Sequence, residues 1–340
     1  YPGSSSSPSG RALIGGGYSP GYDTTIDFLQ IGTAGNATDF GDLSITKGES
    51  GCISSFTRAV WCGGNTSVSP NSTNIIDYVH FSTLGNAADF GDLGSASTRV
   101  TGVVGNNTRG VVTEGSSDTD QLQFISPATL GNATDFGDLS STAYVSAGFS
   151  NNVRGVIALG YSGGYVNTLE YVTIASTGNA TDFGDASVAE RGFAGGLAST
   201  TRGVFGGGEN SGKTNVIDYV TIASVGNATD FGDLTEARYG PAGASSNTRG
   251  IFGGSGSGTY GNVIDYITIA STGNAIDFGD TLEVRDMLAG LANSTKAIFG
   301  GGRNDSGGST TIQQVTIATT GDATDFGDLT AAKSFSAGAC

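Results

Sequence analysis

One nine-residue phrase, GNATDFGDL with close variants, occurs seven times along this chain of 340 residues. The phenylalanine of each copy lies at Phe40, Phe90, Phe136, Phe183, Phe231, Phe278 and Phe326. Consecutive copies are therefore 50, 46, 47, 48, 47 and 48 residues apart. A period of this length is typical of propellers, solenoids and other arrays of one supersecondary unit. Because seven units account for the chain, we expect a single domain.

Each repeat contains four short segments that favour β-strands. In the copy that runs from Tyr239 to Arg285 they are Tyr239–Ser246, Thr248–Gly254, Val263–Ser271 and Ala275–Asp280. All four are bounded by Gly, Asn, Ser or Asp, and the first consists of small residues, as a strand crowded around a central axis requires. No sustained 3.6-residue apolar period is present. The sequence therefore predicts an all-β fold, a seven-bladed β-propeller with four antiparallel strands per blade.

The repeats resemble those of the kelch family, in which a Gly pair ends the second strand, a Tyr lies on the third and an aromatic residue lies on the fourth. In the sixth repeat these residues are Gly253, Gly254, Tyr266 and Phe278. Counterparts are Gly16, Gly17, Phe28 and Phe40, and also Gly207, Gly208, Tyr219 and Phe231. The chain departs from the family where Phe replaces the usual fourth-strand Trp, where Glu114 and Gly115 replace the Gly pair, and where Gln314 replaces the Tyr.

The wording TIASTGNATDFGDL is also similar to repeats of structural and tail-fibre-like proteins of marine bacteriophages, cyanophages in particular. This resemblance implies an exposed virion component, and it rests on one repeated phrase.

The repeat boundaries raise the question of how the ring closes. We place the repeats at approximately 1–47, 48–99, 100–143, 144–191, 192–238, 239–285 and 286–333. Segments that resemble a first strand occur both at the start of the chain and at 334–340, so eight candidates compete for seven places. We expect 334–340 to complete the first blade, since its small residues fit better, and closure removes unpaired strand edges. A continuing chain or a strand from a neighbour are the alternatives.

The composition excludes two classes of partner. The chain has 15 basic and 31 acidic residues, a formal net charge of −16. Such a surface repels nucleic acid and anionic membranes. No apolar run is long enough to span a bilayer, and no secretory signal is visible. Because the chain starts at Tyr1, we expect it to be processed or to be part of something larger.

Thirteen of the 15 basic residues follow the repeat. One set is Arg11, Arg58, Arg109, Arg154, Arg202, Arg249 and Lys296, and we assign Lys47, Arg99, Arg191, Arg238, Arg285 and Lys333 to a second set. We expect both sets to pair with the equally periodic Asp pairs, such as Asp39 with Asp42 or Asp230 with Asp233. Only Lys213 and Arg303 fall outside the repeat.

Several motifs have simpler explanations than the chemistry they suggest. Residues 207–214 match the P-loop pattern, but a strand and not a helix is predicted to follow them. The DFG phrase occurs seven times, whereas a kinase needs it once. Calcium would require carboxylate spacing that is missing. The Asn of each NAT sequon fits a turn with left-handed backbone better than a glycan acceptor. We therefore predict no cofactor and no metal.

The remaining reactive residues are sparse. Cys52 and Cys62 flank a hairpin whose register places Cys52 opposite Trp61, so a disulfide between them is disfavoured but left open. His80 is the only histidine and falls on a third strand, where we expect a core or inter-blade role. Neither a multi-histidine metal site nor a Ser-His-Asp triad is supported. We predict that the chain is not an enzyme.

The loops that join the second and third strands vary in length and composition, whereas the loops of the opposite face are nearly uniform. Binding residues concentrate on variable loops held by a rigid frame. Tyr18, Tyr22, Tyr161, Tyr165 and Tyr260 lie in these loops and are candidate anchors for a ligand. Unconstrained solvent loops are the alternative.

We therefore expect a non-enzymatic structural and binding module that recognises a host surface glycan or protein receptor, at a virion surface or extracellularly. Other virion proteins or copies of the same chain are further expected partners. The alternatives are a bacterial secreted or cell-surface adhesin and a carbohydrate-active enzyme.

Overall fold

The computed structural model describes residues 10–100, 102–113, 119–142, 144–161, 163–188, 195–209, 212–255 and 261–340. Every regular element in these residues is a β-strand. The strands form seven antiparallel sheets, and each sheet has a strand at each of four positions. The chain is thus a seven-bladed β-propeller, as the period predicts, and its architecture is the one that kelch-like repeats form. We number the blades in chain order and call the four strand positions inner, second, third and outer.

The strand bounds follow the repeat closely. From blade 1 to blade 7, the inner strands are Ala337–Ala339, Gly51–Ser54, Val103–Gly105, Tyr144–Ser150, Gly195–Ala198, Ala242–Ser245 and Ala289–Ala292. The second strands are Arg11–Gly15, Arg58–Cys62, Gly110–Thr113, Arg154–Tyr161, Arg202–Gly206, Arg249–Gly253 and Lys296–Gly300. The third strands are Thr25–Gln30, Thr73–His80, Gln121–Ile125, Thr168–Thr173, Thr214–Thr221, Gly261–Thr268 and Gly307–Thr316. The outer strands are Thr38–Asp42, Ala88–Ser97, Thr134–Asp138, Thr181–Asp185, Thr229–Arg238, Ile276–Arg285 and Thr324–Lys333.

The inner strands form a closed ring in which each strand contacts the inner strands of both neighbouring blades. Their small residues permit this approach. A Cβ atom on Gly243 would lie 2.2 Å from the carbonyl oxygen of Gly196, and one on Gly290 would lie 2.7 Å from that of Gly243. The predicted need for small residues near the axis is therefore met by direct backbone contact between blades.

The segment Ala337–Ala339 is the inner strand of blade 1. It pairs antiparallel with Arg11–Gly15 in a register that sets Leu13 opposite Ala339. Blade 2 also holds it, because the buried Trp61 indole donates its Nε1–H to the Ala337 carbonyl over 3.2 Å. The ring is thus closed within the chain by strands that are distant in sequence.

Seven hydrophobic clusters fill the spaces between neighbouring blades, and each cluster takes its residues from two adjacent blades. Phe231, for example, is 2% exposed and packs with Phe252 and Ile267 of the next blade. Burial of apolar side chains is the main driving force of folding. The core therefore lies at the seams, where one blade meets the next.

The GNATDFGDL phrase closes the seam at its periphery. In all seven seams, the Gly N–H of one blade donates to the carbonyl of the Phe in the preceding blade, over 2.6 to 2.8 Å. The following Ala N–H donates to the carbonyl of the second Asp. Between these two bonds, the Asn side chain accepts from the N–H of that Asp, as Asn86 does from Asp42 over 3.1 Å. The phrase is therefore an inter-blade clasp.

This arrangement corrects the expected left-handed backbone at the Asn residues of the NAT sequons, although Asn71 of the NST sequon has a left-handed φ of 67°. None of Asn36, Asn132, Asn179 and Asn227 has a positive φ. The left-handed conformation belongs to glycines such as Gly41, whose φ is 143°. A Cβ atom there would lie 2.4 Å from the backbone of Gly85 in the next blade. The Asn residues are required for their side-chain oxygens, and Asp322 provides the same acceptor in blade 7.

The predicted pairing of the periodic basic residues with the clasp Asp residues is wrong. The first Asp of each clasp accepts the N–H of the Gly two residues later, as Asp39 does from Gly41. The arginines of the first set lie over the third-strand ring of their own blade, 4.2 to 5.1 Å from the ring centroid. They donate to a main-chain carbonyl of the next blade, as Arg202 does to Ile269 over 2.8 Å.

Three members of the second set pair instead with an acidic residue on the third strand of the next blade, whereas Arg285 pairs with Glu283 of its own outer strand. Lys47 lies 2.9 Å from Asp77, and both side chains are fully buried. Lys333 lies 2.7 Å from Asp27, also with both side chains buried, and Arg238 pairs with Asp265. Buried ion pairs are expensive to desolvate, and breaking one leaves an unpaired charge. These pairs therefore tie particular blades together.

Arg99 does not belong to the second set. In blade 2 the residue opposite Thr73 is Ser97, the register position that Arg238 occupies opposite Thr214 in blade 5. Arg99 lies two residues further along, on the connection to blade 3, with its side chain 51% exposed. Arg191 of this set lies outside the described residues. Arg99 is thus a surface cation and not a seam cation.

The remaining single residues are also placed by the fold. Cys52 lies opposite Trp61, as the register predicts, and Cys52 and Cys62 are free thiols. Burial raises the pKa of both thiols to about 12, so both stay protonated at neutral pH. His80 is at the exposed end of its strand, with its ring 5.7 Å from that of Tyr78, so the expected core role is wrong.

Candidate functional site

The strand order places the variable loops between second and third strands on one face of the ring, together with the connections from each outer strand to the next blade. We call this the variable face. The loops between third and outer strands lie on the opposite face, which we call the uniform face. There the clasp bonds already engage the backbone and the Asn side chains. The loops between second and third strands, on the variable face, take no part in these clasp bonds.

The bases of three variable loops, in blades 1, 2 and 7, are attached to the connection from the preceding blade. Isolated β-bridges link Tyr18 to Ser334, Asn65 to Gly48, and Arg303 to Asp286. Each of the three loop residues directly follows a Gly pair that ends the second strand, such as Gly16 and Gly17. The fold therefore presents the residue after the Gly pair at the same place on the face in different blades.

Tyr18 and Tyr22 form an edge-to-face pair in the loop of blade 1, with ring centroids 5.2 Å apart and planes at 70°. A β-bridge joins the two residues, and the Asp23 N–H closes the loop on the Gly17 carbonyl over 3.0 Å. Tyr18 is 43% exposed, whereas Tyr22 is half-buried and packs beside Gly48 of the next connection. The loop thus presents one exposed ring that is supported by a second.

Tyr161 and Tyr165 repeat this arrangement in blade 4. Their ring centroids are 5.4 Å apart with planes at 85°, and a β-bridge again joins the two residues. The Val166 N–H closes the loop on the Gly160 carbonyl over 3.1 Å. Tyr161 is 40% exposed and Tyr165 is half-buried. The sequence placed these four residues on one face, and the structure shows that they form two pairs.

The fifth candidate, Tyr260, lies outside the described residues, and so do Glu114 and Gly115 of blade 3.

The P-loop-like segment of blade 5 uses the same loop frame with different side chains. Glu209 and Lys213 form the β-bridge that the two Tyr residues form elsewhere, and the Thr214 N–H closes the loop on the Gly208 carbonyl over 3.0 Å. A strand, Thr214–Thr221, follows directly. A phosphate-binding P-loop leads into a helix N-terminus, so this segment lacks that geometry, as predicted.

The charged residues on the connections between blades were not identified from the sequence as part of this face. The connections carry left-handed residues at equivalent places, with φ of 54° at Glu49, 51° at Arg99, 53° at Met287 and 53° at Phe335. A left-handed non-glycine residue costs about 1 to 2 kcal/mol. The Arg99 Nε lies 3.1 Å from Glu49, which also accepts from Asn65 over 2.8 Å. The signal available in the sequence was their shared spacing from the end of each outer strand.

A second ion pair lies on the same face in blade 7. The Arg303 Nε lies 3.0 Å from Asp286, and its guanidinium carbon lies 4.7 Å from the centre of the Phe335 ring. Burial raises the pKa of Asp286 and of Glu49, although the adjacent arginines oppose that rise. The two cations are thus each held by a carboxylate on the variable face.

Carboxylates also affect the pKa of the more buried Tyr of each pair, Tyr22 and Tyr165. Burial raises the pKa of Tyr22, and the charge of Glu49 adds to the rise. Burial raises the pKa of Tyr165, and the charge of Glu209 adds to the rise. Glu49 and Glu209 both belong to the next blade. The carboxylate near each aromatic pair is therefore not supplied by the loop that carries the pair. Both phenols remain protonated at neutral pH.

Within the described ranges, no group of three His, Cys, Asp or Glu side chains has the geometry to hold a metal ion. The same ranges contain no helix of the length and apolar character needed to cross a bilayer.

A comparison of the chain with protein-family models gives no match, and a comparison with curated proteins gives none either.

Proposed function

We propose that the chain is a non-enzymatic structural and binding module that recognises a host surface glycan or protein receptor through its variable face. The observation that carries this proposal is the pair of exposed rings, Tyr18 and Tyr161, each supported by a second Tyr on a loop fixed at its base. An exposed Tyr on a rigid frame offers apolar contact and a hydroxyl at low entropic cost.

The opposite face supports this choice by contrast. Its loops donate and accept the clasp bonds in all seven seams, so changes there alter the contact between blades. The second-to-third-strand loops take no part in the clasp bonds, although the Ser19 hydroxyl of the blade 1 loop accepts from the Gly308 N–H of blade 7 over 3.1 Å. Binding function concentrates on loops of this kind.

We further propose an exposed phage virion component, such as a tail fibre or tail-associated protein, in contact with other virion proteins or with copies of the same chain. The resemblance of the repeated phrase to cyanophage repeats supports this setting. Labelling of purified particles with an antibody against the chain would test it. Release of reducing ends from polysaccharide would instead favour a carbohydrate-active enzyme.

The binding face is tested by matched truncations. Removal of an interfacial Tyr side chain costs roughly 1 to 3 kcal/mol of binding. We expect Tyr18→Ala and Tyr161→Ala to weaken binding to a glycan array or to isolated cell envelopes by about tenfold or more. Leu84→Ala and Leu130→Ala, on the uniform face, serve as controls because both side chains are exposed, 65% and 50%. If the Leu variants lose binding and the Tyr variants keep it, the face assignment is wrong.

A further inference from the structure

Two loops of the variable face are copies of one another. The segment YSPGY, residues 18–22, and the segment YSGGY, residues 161–165, share both Tyr residues, the Ser at the second position and the Gly at the fourth. They also share the Tyr–Tyr bridge, the closing hydrogen bond and nearly the same ring separation, 5.2 and 5.4 Å. The exposed fractions of Tyr18 and Tyr161, 43% and 40%, are alike. The same local surface is therefore presented twice.

The loop frame does not itself require the aromatic residues. Blade 5 forms the same bridge and the same closing bond with Glu209 and Lys213 in the two positions. A Tyr pair at these positions is consequently a choice of surface chemistry and not a condition for the loop to form. This separates a binding role for the pairs from a role in holding the loop.

The charge around both pairs limits what they can bind. Burial and, after it, the charge of Glu49 raise the pKa of Tyr22, against an opposing effect of Asn65 and Arg99; burial and, after it, the charge of Glu209 raise the pKa of Tyr165. The nearby Arg99 is already bonded to Glu49, and Arg303 to Asp286. The chain as a whole carries a formal charge of −16. An acidic ligand would be repelled at both places, whereas a neutral ligand with hydroxyl groups can stack on the ring and donate to the carboxylate.

We infer that the variable face has two equivalent subsites for a neutral, hydroxyl-rich saccharide, one at Tyr18 and Tyr22 and one at Tyr161 and Tyr165. This inference rests on the proposed binding function and specifies its ligand class and stoichiometry. The subsites lie three blades apart in a ring of seven, so one sugar unit cannot occupy both. A polymer can span them, and linked binding of this kind raises apparent affinity by about 10²- to 10⁴-fold without new contacts.

The first experiment measures which polymer binds. Immobilised dextran, mannan and laminarin are neutral probes, and alginate and dextran sulfate are acidic ones. We expect retention of the native chain on at least one neutral polymer and none on the acidic pair. Tighter binding to an acidic polymer would overturn the inference. Binding to none of the five would overturn it too, although binding of a purified surface protein through the same loops would leave the proposed function intact.

The second experiment counts the subsites, using calorimetry with the trisaccharide of whichever neutral polymer is retained. We expect two trisaccharides per chain, one for Tyr18→Ala, one for Tyr161→Ala and none for the double variant. Each single variant should lose about 10²-fold in apparent affinity for the polymer. Tyr18→Phe and Tyr161→Phe keep the rings and should keep both sites. A native stoichiometry of one, or loss of all binding in one single variant, would overturn the inference.

Discussion

The uniform and variable faces of the ring differ in where the partner of each loop residue lies. On the uniform face, the Gly, Asn and Ala of one clasp bond to the Phe and Asp of the preceding blade, and the same three contacts recur around the ring. On the variable face, the described loops bond to neighbouring blades mainly at their bases, as Tyr18 does to Ser334, and the tip of the blade 1 loop adds a bond that the clasps do not repeat, from the Gly308 N–H to the Ser19 hydroxyl. A residue repeats along this sequence where its partner repeats, and it varies where its surroundings are solvent or a ligand.

The seam should show the largest effect on stability. We expect Asp77→Ala to lower the free energy of unfolding by about 3 to 5 kcal/mol, because it leaves the fully buried Lys47 ammonium without its counter-charge. Denaturant unfolding followed by circular dichroism measures this. The double variant Lys47→Met with Asp77→Leu removes both charges and should recover much of the loss. A loss as large in the double variant as in the single one would mean that packing, not charge, is responsible.

The clasp should show an intermediate effect on stability. Two glycines that meet across one seam, Gly137 and Gly178, separate the effect of the contact between blades from that of backbone strain. A Cβ on Gly137 would lie 2.4 Å from the Gly178 backbone, whereas one on Gly178 meets no atom within 4 Å. Both residues have a similar φ, 141° and 151°, so both substitutions to Ala carry backbone strain. We expect Gly137→Ala to be the more destabilising by more than about 1 kcal/mol in thermal unfolding. Equal losses would show that the contact between the clasps yields easily.

The loop tips should show the smallest effect. Tyr18→Ala and Tyr161→Ala remove exposed rings and leave the backbone bridges in place, so we expect each to change the unfolding free energy by no more than about 0.5 kcal/mol. Differential scanning calorimetry is suited to the comparison, with Phe231→Ala, which should cost about 3 to 5 kcal/mol, as the buried reference. A loss of about 2 kcal/mol in either Tyr variant would assign the pair to the scaffold.

The repeat period was sufficient to predict the strand positions and the blade count, because each strand is encoded locally by its own β-branched residues and turn glycines. The register of the hairpin at Cys52 and Trp61 followed from strand geometry alone. The departure at blade 7 was also visible in the sequence, where Gln314 replaces the third-strand aromatic residue and Lys296 replaces the Arg that lies over the ring elsewhere.

The partners of the periodic charges were not predictable in the same way. Basic residues and several kinds of acidic residue share one period, and a period does not reveal which of them meet across a seam. The buried acids Asp27, Asp77 and Asp265 had a visible signal, since each interrupts an otherwise apolar third strand. The Tyr pairs had one too, the recurrence of a Tyr four residues after another on two loops. The sequence carried no signal that Arg99 lies two residues beyond the seam position. The connections differ in length, and this shifts the alignment of the repeats by one or two residues.

The pairing of Ala337–Ala339 with Arg11–Gly15 has a consequence for the order of events during synthesis. Leu13 meets Ala339, which is made 326 positions later, whereas every other blade can assemble from strands that are consecutive in sequence. Contacts between distant residues form slowly, and an unpaired strand edge invites association with other chains. Of the seven blades, blade 1 is the first to be synthesised and the last to be completed, so the edge of Arg11–Gly15 lacks its native partner until Ala337–Ala339 has been made.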